Sequence, residues 1–332
     1  MRIFLTGGEK IGWALDTDER LAREALGRFA TISKFSLYSN YIHSVSPLVT
    51  YKKYKRKPER FVAVFPGEPD RLFRADSEFA DFCFHCHCIA QSQQAYEQLK
   101  KCNYPCVEYI PYIADLVNFK MLYNKDEIKD KYGIPRNKFI ISSFMRDSLG
   151  KNLQEPKLEK GADVFLEIVK GICDIIGKDK IIIVLAGPRR HWIRNQLANE
   201  KISCEYIGKI VEEDDININI ASPQVINELL NITDLQIISS RSEGGPRGIL
   251  EAGVLNVPII STKVGIAPDV LSPETLYTSV NEAVEMAIKQ YKNQWISKVN
   301  VKVADYIRDI HSVENISNMW EKYYERLRNI NK

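Results

Sequence analysis

Glu243 and Glu251 stand on either side of a Gly244-Gly245-Pro246-Arg247 turn, just after the apolar run Leu235-Gln236-Ile237-Ile238. A buried strand, a turn whose glycines leave the backbone open, and a helix starting near Pro246 together form an anion site. Unpaired N–H groups and the positive end of the helix dipole point into the crevice. A phosphate or pyrophosphate suits such a place. A carboxylate beside a phosphate is repelled unless it has another task. The task open to Glu243 and Glu251 is to accept hydrogen bonds from the vicinal hydroxyls of a sugar or a ribose. Fixed cations complete the site. Arg146 follows the apolar run 139–144, and Lys160 precedes Gly161 and a helix predicted to begin near Ala162. A guanidinium fork with an ammonium point charge suits a departing pyrophosphate.

Positioning these groups requires strands that end at one edge. The runs RIFLTGG, RFVAVFPG, CIAQS, KFIISSF, KIIIVLAG, LQIISS and VPIIST alternate with amphipathic stretches such as DERLAREALG, QQAYEQLKK and DVFLEIVKGICDIIG. Short apolar strands alternating with helices predict parallel α/β layers. The 332 residues suit two such layers. The alternation divides into a first domain over 1–133, a second over 134–305 and a last segment over 306–332, with the charged stretch NKDEIKDKYGIPRNK read as the linker. In the last segment Ile316, Met319, Trp320, Tyr323 and Leu327 recur at helical spacing, which predicts a core-facing helix.

Composition excludes several classes. With 45% hydrophobic and 27% charged residues the chain can bury a core, which rules out a disordered or collagenous protein. A net charge of 46 − 43 = +3 is too small for a nucleic-acid packaging role, and no nucleic-acid partner is expected. No apolar run approaches the roughly 18 residues needed to span a bilayer, and the start lacks the pattern of a signal peptide. Seven cysteines without paired C-x-x-C modules predict reduced thiols and a cytoplasmic protein. His85-Cys86-His87-Cys88 has soft-metal chemistry, but alternation along a strand would send the two residue types to opposite faces, so packing is the reading and no metal is expected. The run Tyr51–Arg60 holds six basic residues and two interleaved tyrosines. It reads either as a contact with an anionic membrane, at the inner face, or as a solvated surface.

The stretches SSRSEGGPRGILEAGVLNVPIISTKVG and SSFMRDS…LEKGADVFLEIV resemble the retaining glycosyltransferases of family 4, as do LAGPRR at Gly187, YIGKI at Gly208, and CIAQSQQAYEQL followed by YIPYIAD. The resemblance implies the GT-B fold, two Rossmann-like domains facing across a cleft with the C-terminal helix returning to the first. It implies a nucleoside-diphosphate-sugar donor on the second domain and a saccharide or lipid-linked saccharide acceptor on the first. Glu243 would contact the donor sugar and Glu251 the ribose diol. Gly244, Gly245, Pro246 and Arg247 would line the sugar and phosphates, with Gly187, Gly208 and Ile210 on the nucleotide side and the Gly7-Gly8 loop near the phosphates. Arg146 and Lys160 would stabilise the departing diphosphate without a metal or any cofactor beyond the donor co-substrate. On the acceptor side, His43 stands near a position where the family's chain approaches the acceptor. Pro66-Gly67-Glu68 stands where the family usually has a histidine, which leaves Glu68 as the acceptor-side candidate. Two other readings share parts of this pattern. A non-catalytic nucleotide-sugar-binding scaffold subunit would not need the charged set. A nucleotide-sugar epimerase would need acid and base groups that the sequence does not offer.

Overall fold

Short runs rich in Ile, Val and Phe form the strands of two parallel sheets in the computed structural model, which describes residues 1–8, 14–65, 67–150 and 152–330. The chain divides into unit 1, Met1–Asp115 with Arg308–Lys332, and unit 2, Leu116–Ile307.

Unit 1 contains β1 (Arg2–Thr6), β2 (Thr31–Ile32), β3 (Tyr41–Ser44), β4 (Phe61–Phe65), β5 (His87–Ala90) and β6 (Val107–Tyr109), in the order β2-β1-β3-β4-β5-β6. All five pairings are parallel. Helices cover both faces, so an inner strand such as β4 is buried at every residue. β2 lies on one side of β1 and β3 on the other, so the topology switches at the carboxyl end of β1. Gly7 sits there with φ +119°, where a Cβ would come 2.6 Å from the Ser46 amide nitrogen; only glycine fits.

The helix Val313–Ile330 closes unit 1. Its Ile316, Trp320, Tyr323, Tyr324 and Leu327 belong to the same core as Ile3, Leu5 and Leu21. The returning chain is tied by main-chain and side-chain bonds, Ala114 N–H to the His311 carbonyl at 2.8 Å and Ser317 Oγ to the Ala25 carbonyl at 2.7 Å. The predicted core-facing stripe is therefore the stripe that docks.

Unit 2 contains β7 (Phe139–Ser143), a hairpin of β8 (Ser148–Leu149) and β9 (Asn152–Pro156), then β10 (Ile181–Ala186), β11 (Cys204–Ile207), β12 (Leu235–Ile238), β13 (Ile259–Thr262) and β14 (Leu276–Tyr277). The main sheet is parallel in the order β11-β10-β7-β12-β13-β14. Its switch point lies between β7 and β12. Open α/β sheets bind ligands at such points, outside the carboxyl ends of the strands.

The first boundary falls earlier than the linker reading placed it, at Asp115/Leu116 instead of 133/134. The charged segment is anchored on unit 2. Ile128 and Ile134 pack with Ile140 and Val184, and the amides of Lys120 and Leu122 donate to Asn227 and Asn231 at 3.0 and 2.8 Å. Its polar residues face water and conceal two buried isoleucines. The second boundary, Ile307/Arg308, lies close to the expected 305/306.

The His-Cys tetrad is not one strand. His85 and Cys86 follow the helix Ser77–Phe84 in a turn, and only His87 and Cys88 enter β5. Cys83, Cys86 and Cys88 are buried, and burial raises their thiol pKa values well above the usual range. Among the described residues no group of three His, Cys, Asp or Glu side chains could hold a metal ion, and no helix is long and apolar enough to cross a membrane.

Candidate functional site

The switch point of unit 2 gathers the charged residues singled out in the sequence. Arg146 follows β7, and the Glu243-Gly244-Gly245 turn follows β12. Lys160 ends a 3-10 turn, Leu158–Lys160, before the helix Ala162–Ile176. That helix is amphipathic and buries Phe165, Leu166, Ile168, Val169, Ile172 and Ile176 against the sheet, so its first turn is fixed at the carboxyl edge. Arg146 and Lys160 line one small cavity together with Ser143, Met145, Phe165 and Ser239.

The loop carrying Lys160 and the turn carrying Glu243 are fastened to each other. The Arg241 amide donates to the Glu159 carbonyl at 2.9 Å, and the Arg241 guanidinium forks onto Asp163 at 2.7 Å on both arms. Ser239 Oγ donates to the Lys160 carbonyl at 3.3 Å. The Lys160 ammonium then meets Glu243 Oε1 in an ion pair with both side chains largely buried, and Ser240 Oγ donates to the same oxygen at 2.9 Å. Among the described residues Glu243 Oε1 is thus held by one cation and one hydroxyl.

Two glycines permit this close approach. Gly161 has φ +62°, and a Cβ there would stand 1.8 Å from the Ser239 carbonyl oxygen. Gly265 has φ +50°, and its Cβ would stand 2.1 Å from the Gly244 carbonyl oxygen. We expect Gly161→Ala to destabilise unit 2 by about 3 kcal/mol or more, since it combines left-handed strain with a backbone clash. Gly133→Ala is the control. Its φ is +66°, but nothing lies within 4 Å of the added Cβ. Strain alone predicts a loss of about 1 kcal/mol there. Thermal denaturation of the two variants checks the difference; equal losses would show that the 161–239 contact can relax.

A family model described as "Glycosyl transferases group 1" matches residues 124–330. The chain belongs to this family. Solved structures agree in fold over nearly the whole length. Anabaena HepE in complex with UDP and glucose is 14% identical, with a TM-score of 0.73 over 98% of this chain and 99% of that one. Sucrose-phosphate synthase from Thermosynechococcus elongatus is 11% identical, with a TM-score of 0.74 over 99% of both chains. A glycosyltransferase from Rickettsia africae is 15% identical, with a TM-score of 0.66 over 98% of each. No curated protein sequence matches the chain. The architecture is the α/β GT-B fold of these glycosyltransferases, each unit built on a parallel six-stranded sheet.

Other candidates in this group 1 glycosyl transferase fall at the same carboxyl edge of unit 2. Gly187 follows β10 with φ +88° and accepts a hydrogen bond from Tyr206 at 3.0 Å. Gly208 follows β11, where a Cβ would meet the Tyr206 ring at 2.8 Å, and Ile210 beyond it is 76% exposed. Asn219 pairs with both the N–H and the C=O of Lys209, at 2.7 and 2.8 Å, and so sets the course of that loop. Glu251 lies one helical turn after Arg247, with 3.7 Å between their charged groups. The helix opens at Arg247, with Pro246 as its cap instead of its first residue, and has only seven residues. So short a helix adds little dipole; side-chain cations dominate the positive charge here.

Sequence reasoning missed one of those cations. Lys157 caps the 3-10 turn that ends in Lys160, and in this geometry residues three apart stand over one another. Burial, with Arg146 and Lys160 close by, holds the Lys157 ammonium below its usual pKa. The spacing of Lys157 and Lys160 was the available signal. Arg190 was also missed. Its guanidinium is 2% exposed and pairs with Asp147 at 3.0 Å in the wall of the same cavity.

The first-unit candidates divide. His43 lies in β3, fully buried, with Nδ1 2.8 Å from the Tyr324 hydroxyl and its ring 4.8 Å from that of Trp320. Burial depresses its pKa to about 3. It packs the C-terminal helix onto the sheet, while its Nε2, without a hydrogen-bond partner among the described residues, borders a small cavity lined also by Asp18, Gln91 and Trp320. Glu68 is partly exposed beyond the carboxyl end of β4, just before the helix Pro69–Ala75. Pro66 lies outside the described residues. Gly7 and Gly8 stand at the unit 1 switch point, where the Gly8 amide already donates to Glu19 at 2.8 Å.

Proposed function

We propose that the chain is a retaining, metal-independent glycosyltransferase that moves a sugar from a nucleoside-diphosphate-sugar to a saccharide or lipid-linked saccharide. The observation that carries this reading is the Lys160–Glu243 pair at the unit 2 switch point, in one cluster with Arg146 and Lys157. A cluster of three cations beside one fixed carboxylate suits a ligand that is anionic at one end and rich in hydroxyls at the other.

In this reading Arg146, Lys157 and Lys160 take the diphosphate. Their charge matters most as the bond from the anomeric carbon to the phosphate oxygen breaks and negative charge builds on that oxygen. Glu243 accepts from a donor-sugar hydroxyl and Glu251 from the ribose. The acceptor hydroxyl oxygen bonds to the anomeric carbon on the face the diphosphate leaves, and its proton passes to the departing phosphate. That route needs no protein nucleophile. Retention is supported by the resemblance to family 4. Metal independence is supported by the three side-chain cations, which supply the charge a divalent ion would otherwise bring. The acceptor belongs to unit 1 in this reading, on the Glu68 side.

Anabaena HepE is described in complex with UDP and glucose, so uridine nucleotides are the first ligands to try. A thermal-shift panel of UDP, GDP, ADP and their hexose derivatives in EDTA tests the reading. A ligand at a hundred times its Kd stabilises by about 2.7 kcal/mol, which in a domain of this size raises the melting temperature by about 5 to 10 °C. One nucleotide class should give that shift in the wild type and lose it in Glu251→Ala. Silence across the panel would overturn the donor assignment, and a shift without any transfer activity would move the weight to a scaffold subunit. A shift that requires added Mg²⁺ or Mn²⁺ would overturn metal independence.

A further inference from the structure

The amino edge of the unit 1 sheet bears a surface that the transfer reading does not use. Loop 33–40 enters β3 and loop 55–60 enters β4, and these strands are neighbours with Ile42 opposite Phe61. The two loops therefore lie side by side. Arg60 fastens them, with its guanidinium donating to the Ser36 carbonyl at 3.0 Å, to that of Ser39 and, through Nε, to that of Asn40 at 3.3 Å.

The first loop is apolar where it should be polar. Phe35, Leu37 and Tyr38 are 64%, 73% and 64% exposed, and the Phe35 and Tyr38 rings meet edge to face at 6.3 Å. The second loop is cationic. Lys52 and Lys53 leave the helix Pro47–Tyr54 on its exposed side while Tyr51 and Tyr54 fill the core, and Lys55, Arg56 and Lys57 follow, all exposed. Residues 34–60 hold seven Lys and Arg and one Glu, a net 7 − 1 = +6, whereas the whole chain is +3. The remaining residues are therefore net −3, and the positive charge is concentrated at this edge.

A bare polyanion would match the charge and leave three apolar side chains in water. A protein groove would match the apolar residues but would have to receive side chains projecting from a loop tip with five cations beside them. An anionic bilayer matches both, because aromatic and aliphatic tips settle at headgroup depth while basic residues meet lipid phosphates. We propose that this edge is a peripheral docking surface for an anionic bilayer, with Phe35, Leu37 and Tyr38 entering the headgroup layer and Lys52, Lys53, Arg56 and Lys57 neutralising it. It lies at the opposite end of the strands from Gly7 and Glu68, so docking leaves the carboxyl edge of unit 1 open. The inference stands independently of the transfer reading.

The test is cosedimentation of the full chain with vesicles of about 30% phosphatidylserine in phosphatidylcholine, against pure phosphatidylcholine, at low and high salt. The wild type should bind the anionic vesicles and release as salt rises. Lys52→Glu/Lys53→Glu/Lys57→Glu should weaken binding by about a hundredfold, and Phe35→Ser/Leu37→Ser by about tenfold. Both variants should keep the wild-type melting temperature. Absent binding, equal binding to both vesicle types, or binding unchanged in the charge-reversed variant would overturn the proposal. So would a wild-type dimer in sedimentation velocity that Phe35→Ser/Leu37→Ser dissolves, which would make the face an interface between copies.

Discussion

Lys160→Ala is expected to lower turnover by about a hundred- to a thousandfold, the usual cost of losing one preorganised charge-stabilising donor in a transferase site. The ammonium has two tasks. It faces the cavity it shares with Arg146, and it holds the carboxylate of Glu243, which among the described residues is otherwise bonded to the Ser240 hydroxyl. If the proposed transfer holds, removing it takes a cation from the diphosphate and leaves a carboxylate free to repel that same group. Nucleotide affinity should therefore fall together with turnover. Glu243→Gln is the informative contrast, because it keeps the shape, removes the charge and leaves Lys160 available to the phosphates. Turnover should fall by about a hundredfold with little change in nucleotide affinity, since the hydrogen bond lost under the proposed function is to the transferred sugar. The double variant separates catalysis from architecture. If the ammonium only neutralises the Glu243 carboxylate, Lys160→Ala/Glu243→Gln should be as active as Glu243→Gln alone. If the ammonium acts on the diphosphate, it should not. Turnover of Lys160→Ala within about threefold of wild type would remove Lys160 from the chemistry.

This site was legible in the sequence because its parts are local. The Glu-Gly-Gly-Pro-Arg turn and the Lys-Gly before the helix Ala162–Ile176 each combine a backbone requirement with a charged side chain inside a few residues. The seven apolar runs that became inner strands carried their own signal. β3 did not, because Tyr41-Ile42-His43-Ser44 reads as half polar, yet all four residues are buried. Polar atoms there find partners far away or in the next helix: His43 Nδ1 in the Tyr324 hydroxyl, and Ser44 Oγ in that of Thr50 at 2.7 Å. No local pattern encodes a bond to a residue at the other end of the chain. The hairpin β8–β9 was also silent, since Asn152-Leu153-Gln154-Glu155-Pro156 is largely solvent-facing and has no apolar alternation. The unit boundary was misplaced for the converse reason, because two buried isoleucines carry little weight in a segment of charged residues.

Arg190→Leu is expected to destabilise unit 2 by about 3 to 5 kcal/mol, because it strands a buried charge. Asp147 is 4% exposed at its side chain and Arg190 2%, with 3.0 Å between them. Around the carboxylate the neutral donors are few. Ser148 Oγ reaches Oδ1 at 2.8 Å and the Ile193 amide only at 3.5 Å. Burial raises the Asp147 pKa above the usual carboxylate value, and Arg190 is the chief influence opposing that rise. The sign of the pH dependence follows. A carboxyl whose folded pKa lies above its unfolded value near 4 costs nothing below that value; its penalty grows as pH rises from the unfolded to the folded pKa and is constant above. Without Arg190 the folded pKa moves further up. Arg190→Leu should thus be nearly as stable as wild type at about pH 4 and fall progressively behind it toward pH 8. Asp147→Asn/Arg190→Leu should recover most of the loss and flatten that dependence. The pair also bears on the site. The amides of Asp147 and Ser148 both donate to the Arg189 carbonyl, at 3.1 and 3.2 Å, and Arg146 immediately precedes them. The double variant should therefore keep its fold while binding nucleotide more weakly than wild type. Urea denaturation of the full chain from pH 4 to pH 8, following unit 2 by hydrogen exchange in β7 and β10, checks the first part. A loss in Arg190→Leu that stays constant with pH would mean that Arg190 contributes by packing alone and that Asp147 finds its compensation elsewhere.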